Sequence, residues 1–187
     1  MSEQGAAPTP QPQTPQQMQP LVLNVQYTKD LSFELPGAPA IFTQMRQPPH
    51  VAINLDVQVQ RIEEGGNVFE VGLAIRAEGT LTPPKSAGGT EEKPPVVFIA
   101  DLVYAGVFTL NNVPENQQEP ILLVECPRLL FPWARNILAD VTRDGGIAPV
   151  LLGPIDFVGL WQQRRAAAMA AALAAASPAG AANGAPN

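Results

Sequence analysis

One cysteine, Cys126, and one histidine, His50, are all that this chain of 187 residues offers to thiol and imidazole chemistry. A single cysteine cannot close an internal disulfide and fits a reducing compartment. With one histidine, most metal sites and most nucleophile–base pairs lose a member. Positive charge is scarce as well. Eleven Lys and Arg stand against seventeen Asp and Glu, a formal net charge of −6. Affinity for phosphate backbones comes from clustered basic residues, so a nucleic-acid binder is excluded. Residues 1–20 show neither the basic nor the apolar region of a secretory signal. No uncharged apolar run approaches the ~20 residues of a membrane span. The expectation is a soluble, cytoplasmic protein without direct membrane insertion.

Catalytic signatures are missing too. Lys29, Lys85 and Lys93 do not follow a glycine, which removes the P-loop, and no Gly-x-Gly spacing exists for a dinucleotide. Ser2, Ser32, Ser86 and Ser177 all stand outside any nucleophile elbow. Cys126 could act as a nucleophile only with His50, and reads instead as a small buried hydrophobe. The pairs Glu63-Glu64 and Glu91-Glu92 lie in turn-like segments, where nothing splits their pKa values. No enzyme, cofactor or metal centre is expected.

What the chain has in excess is unevenly placed. Residues 1–20 hold five prolines and six glutamines, and thirteen of residues 166–187 are alanine. The head reads as a disordered tail, residues 21–165 as one folded domain, and 166–187 as a helix extension that frays into a tail. Four strands are predicted. In 21–27, Leu21, Leu23, Val25 and Tyr27 alternate. In 51–62, Val51, Ile53, Leu55, Val57 and Val59 alternate with a polar face. Segment 67–81 sets Phe69, Val71, Leu73 and Ile75 against Glu70, Arg76 and Glu78. Segment 96–110 is apolar on both faces, which implies cover on both sides, by layers of the fold or by another subunit.

The turn at Glu63-Glu64-Gly65-Gly66 predicts a hairpin, and the Pro- and Gly-rich 82–95 a mobile loop. Residues 28–50 carry Phe33, Leu35, Ile41, Phe42 and Met45 among four prolines, and read as an irregular segment lying across something. Segment 119–126 is open between strand and helix. A helix over 128–143 presents Leu130, Ala134, Ile137, Leu138 and Val141, with Pro132 kinking its start. A second begins after Pro154 with Asp156 as N-cap. This order predicts an α+β fold, with a four-stranded antiparallel sheet and two C-terminal helices on one side.

Three blocks carry a resemblance. Tyr27-Thr28-Lys29-Asp30-Leu31-Ser32-Phe33-Glu34 precedes Pro36-Gly37-Ala38-Pro39. Cys126-Pro127-Arg128-Leu129-Leu130-Phe131-Pro132-Trp133-Ala134-Arg135 follows, and then Gly153-Pro154-Ile155-Asp156-Phe157. In order and spacing, over about 24–165, they resemble the SecB family of bacterial export chaperones. The Pro/Gln-rich head, the 82–95 loop and the Ala-rich tail depart from the family pattern, all outside the core.

The resemblance implies an ATP-independent holdase that binds unfolded precursor proteins and hands them to the SecA motor ATPase. It implies a homotetramer, a dimer of dimers, in which a Greek-key sheet sets the first strand beside the fourth after a crossover. It assigns Asp30, Glu34, Ile99 and Asp101 to the surface holding SecA's small, basic, zinc-binding C-terminal segment. Phe33, Ile41, Phe42, Met45, Phe157, Leu160 and Trp161 become candidates for client grooves, with ordinary core packing the competing reading. Phe98, Ala100, Leu102 and Tyr104 are open between core and subunit packing. Leu130, Trp133, Ile137, Leu138 and Val141 are expected to pack subunits. The alternative function is a SecB-like chaperone dedicated to a toxin–antitoxin partner.

Overall fold

A computed structural model of the chain describes residues 19–81 and 94–176. The expectations for residues 1–18, for the 82–93 part of the loop and for 177–187 lie outside the described residues. Strands β1 (Leu21–Glu34), β2 (His50–Arg61), β3 (Val68–Thr80) and β4 (Val96–Leu110) form one antiparallel sheet in the order β1-β4-β3-β2. The β2–β3 hairpin closes through Gly66 N–H donating to the Glu63 carbonyl at 3.0 Å, with Gly65 at φ +71. A left-handed residue there favours glycine, which has no Cβ to clash.

β1 departs from expectation twice. It runs to Glu34, so 28–34 is strand rather than irregular chain. Its ladder with β4 skips Asn24 and Lys29. Each extra residue reverses the side to which later side chains point. Leu21 and Leu23 therefore pair with Leu110 and Phe108 on one face, while Val25 and Tyr27 pair with Val107 and Ala105 on the other. Simple alternation had put all four together. In the connection that follows, a short helix α1 (Ala40–Gln44) forms between the prolines, with Ile41 buried.

The helices lie after the sheet. α2 (Glu115–Pro120) runs into a π-helical turn (Ile121–Glu125) and then α3 (Cys126–Asp144), so the open segment 119–126 is helical. Cys126 N–H reaches back five residues to the Ile121 carbonyl. Pro127 and Pro132 bring no N–H to the ladder, and the wider turn falls just ahead of them. Cys126, Leu130, Ala134, Leu138 and Thr142 make a fully buried stripe at four-residue spacing. It packs on β4 and β3, against Phe98, Leu102, Phe108, Leu73 and Ile75. Gly106 allows the approach: a Cβ there would meet Leu130 Cδ2 at 2.9 Å.

α4 (Phe157–Ala176) starts at Asp156, whose Oδ1 accepts from the Gly159 N–H at 3.0 Å. That satisfies one of the orphan donors of the first turn. Beyond Trp161 its residues through Leu173 are exposed. The helices cover one face of the sheet. The other face bears no element of this chain among the described residues.

Candidate functional site

On the uncovered face, register sets the charged residues in rows across three strands. Glu34 lies opposite Ile99, which lies opposite Glu78. Ser32 lies opposite Asp101, which lies opposite Arg76. Asp30 lies opposite Val103, which lies opposite Ala74. Cross-strand partners share a face, so Asp30, Glu34, Ile99 and Asp101 lie together on it. Their electrostatics differ. Arg76 Nη1 lies 2.6 Å from Asp101 Oδ2, whereas Asp30, Glu34 and Glu78 make no ion pair among the described residues. Arg76 and Glu78 belong to this surface too. Their place on the polar side of β3 was legible, but only the β3–β4 register brings them beside Asp101 and Ile99.

Farther along the same face, Glu70 accepts from Lys29 Nζ at 2.7 Å and from the Tyr27 hydroxyl. The lysine, then the tyrosine, hold its carboxyl below the ordinary carboxylate value, and the shared bond raises the Tyr27 phenol. These groups satisfy one another, so this end of the face carries little free charge.

The helix side collects the candidate apolar residues in two places. Near the C-terminal end of α3, Phe33 stacks on Phe98 with ring centroids 6.0 Å apart, beneath Gly145. Phe42 is exposed nearby, beside Gly146, and Met45 is half-buried. At the start of α4, Leu160 is exposed and Trp161 half-buried. They line a cleft of about 270 Å³ with Leu55, Val57 and Leu123 from β2 and the π-helical turn. Two candidates are closed off. Ile41 is 3% exposed and Phe157 2%, the latter edge-on to Phe131, so both pack the chain's own core.

The residues considered for subunit packing also divide. Phe98, Ala100, Leu102, Tyr104, Leu130 and Leu138 are buried within a single chain. Core packing accounts for them, because α3 lies over that face of β4. For Phe98, Ala100, Leu102 and Tyr104 this decides for the core reading, and for Leu130 and Leu138 it corrects the expectation that they pack subunits. Trp133, 53% exposed, stands out from α3, with Ile137 and Val141 half-buried alongside. On the other face of β4, Ile99, Val103 and Val107 are half-buried apolar residues.

The sequence family described as preprotein translocase subunit SecB matches residues 14–168. This chain belongs to the SecB family. A protein-export protein SecB from Acidiphilium cryptum is 68% identical over 152 residues, covering 80% of this chain and 92% of that one. Its counterpart from Granulibacter bethesdensis is 62% identical, covering 81% and 86%. Among solved structures, the Mycobacterium tuberculosis Rv1957 SecB-like chaperone, in complex with a ChAD peptide from the HigA1 antitoxin, superposes with a TM-score of 0.56. It is 14% identical and covers 73% of this chain and 91% of that one, a likeness of fold.

SecB is a family of protein-export chaperones. Cys126 is buried, and desolvation pushes its thiol up to about 12, with Glu125 adding to the shift. Only the thiolate is a good nucleophile, so Cys126 is inert in the fold. No helix among the described residues is long and apolar enough to cross a membrane. The surface instead shows scattered large apolar groups, among them Phe42, Leu129, Trp133, Leu151 and Leu160.

Proposed function

We propose that this chain is an ATP-independent holdase of the bacterial cytoplasm, which binds unfolded precursor proteins, keeps them competent for translocation and delivers them to the SecA motor. The observation that carries this reading is the SecB match across residues 14–168, joined by relatives named as export proteins. Clients take the helix side, along Phe33, Phe42, Met45, Leu160 and Trp161. Adaptable apolar surface suits partners that share no sequence, because it does not require one shape. SecA takes the open sheet face at Asp30, Glu34, Ile99 and Asp101. Acids around a half-exposed isoleucine suit a basic segment: charge steers the encounter and the apolar contact prolongs it.

The assembly is a homotetramer, a dimer of dimers, with Trp133, Ile137 and Val141 facing other subunits. The strand order, with a long connection from β1 to β2, supports a Greek-key sheet. Export is favoured over service to a toxin–antitoxin partner. The export relatives share 68% and 62% of aligned residues, whereas the antitoxin-bound structure shares 14% and speaks to fold alone.

The test uses one preparation and two titrations. A reduced, alkylated polypeptide that cannot refold is titrated calorimetrically with and without ATP, and the basic C-terminal segment of SecA is titrated separately. Client binding independent of nucleotide is expected. Reversal of Asp30, Glu34 and Asp101 to lysine abolishes SecA binding and leaves client binding intact. An ATP requirement sinks the holdase reading, and unchanged SecA affinity in the folded triple variant sinks the docking site.

A further inference from the structure

Helix α4 leans across the free edge of the sheet, and one side chain makes the joint. Arg164 Nη1 donates to the Val57 carbonyl at 2.7 Å, and Nη2 donates to the Asp56 carboxylate. β2 is the last strand of the sheet, so Arg164 occupies a backbone acceptor of an edge strand. The helix base is held by buried Phe157 and by Trp161, whose Nε1 donates to Glu119 Oε1 at 3.1 Å. From Gln162 to Leu173 every residue is exposed, Arg164 included. No bulky side chain of that stretch is buried against the sheet. Beyond Trp161, the charged fork of Arg164 is the contact that ties this stretch of α4 to the β2 edge among the described residues.

Under this joint lies the cleft lined by Leu55, Val57, Leu123, Leu160 and Trp161, with Asp56 and Arg164 at its rim. We propose that Arg164 is a catch: it holds α4 against the β2 edge, narrows the cleft beneath, and must release before an extended apolar segment of a client can settle there. The contact has the right strength for such a device. A guanidinium bonded to both a carbonyl and a carboxylate is charge-assisted and directional. Both side chains are 49% exposed, so water competes and the catch opens at modest cost. While closed, it also blunts an edge strand that would otherwise offer its backbone to another chain.

The gating half of this proposal rests on the client-holding reading, and the catch itself is tested without a client. Hydrogen exchange is followed by mass spectrometry on the full chain, as wild type, Arg164→Ala, Arg164→Lys and Asp56→Asn. In Arg164→Ala, amides of residues 158–165 and of 54–59 are expected to exchange about two- to fivefold faster, the range expected for losing a half-exposed charged contact. Amides of 130–142 in α3 stay unchanged, which shows that the fold is intact. Arg164→Lys restores protection only in part, because a point charge cannot grip carbonyl and carboxylate together. The alkylated, unfoldable polypeptide should associate faster with Arg164→Ala than with wild type, by a similar factor.

Unchanged exchange in a folded Arg164→Ala overturns the catch. Faster exchange with unaltered client association overturns the gating. A wild type that binds no client overturns the holdase reading and the gating with it, while the exchange difference still establishes the catch.

Discussion

Asp101 is one of three acids expected to meet a basic partner, and Arg76 already sits 2.6 Å from it with both side chains partly exposed. A partner's cation must displace Arg76 or share the carboxylate with it. Arg76→Gln frees the acid and removes a like charge from the partner's path. SecA-segment affinity should rise about two- to fivefold, the scale of an exposed ion pair, and calorimetry on the folded variant reads it. A fall in affinity would show Arg76 to be a contact and not a competitor. Sequence showed that Arg76 and Asp101 lie on strands, but their pairing is a fact of register, which a residue's own neighbours do not encode. Cys126 was more legible, because an isolated cysteine among apolar residues is ordinarily buried. Its thiol should resist alkylation in the native protein at pH 8, with the thiolate about one part in ten thousand, and react on unfolding. The sign for stability follows from the same shift. The folded-state value is raised above the unfolded one, so the contribution is full below about pH 9 and is lost as pH rises toward about 12. Cys126→Ala should flatten that alkaline decline in a denaturation series.

The strands with uninterrupted alternation, β2 and β3, could be read almost to their ends, because period-2 patterning is what burial of one face demands. β1 could not. Two bulges reverse its faces, and the mostly polar run Thr28 to Ser32, broken only by Leu31, hides an edge strand behind a loop-like composition. The helical identity of 119–126 was hidden for a different reason: Ile121, Leu122, Leu123 and Val124 suit a buried strand equally well, and only the continuation into α3 decides. The contact between α3 and the sheet also depends on a residue that no hydrophobic pattern marks. Gly106 leaves room for Leu130, Phe108 and Leu23, each within 3.1 Å of where a Cβ would stand. Gly106→Ala should cost about 1–3 kcal/mol, because three packed side chains must move for one methyl group. Chemical denaturation measures the loss. A neutral result would mean that α3 can ride higher on the sheet without penalty.

At the scale of the whole molecule, the apolar pattern on both faces of β4 has two causes. The face bearing Phe98, Leu102 and Tyr104 is sealed by the chain's own α3, and the face bearing Ile99, Val103 and Val107 stays half open. Assembly therefore has to be probed away from Leu102. A glutamate at Leu102, 1% exposed, buries an unpaired charge in the core, and the expected outcome is loss of the fold. Trp133 tests the assembly itself. More than half of it is exposed on the far side of α3, next to exposed Leu129, so a charge there costs the single chain little. If α3 packs dimer on dimer, Trp133→Glu should lower the native mass from about four chains to about two, since a desolvated central aromatic commonly anchors an interface. Light scattering gives the mass, and far-UV circular dichroism should stay at the wild-type value. A Trp133→Glu protein that keeps the four-chain mass would move the assembly surface off α3. The half-open row Ile99, Val103 and Val107 would then be its next candidate, and subunits would compete with SecA for one face.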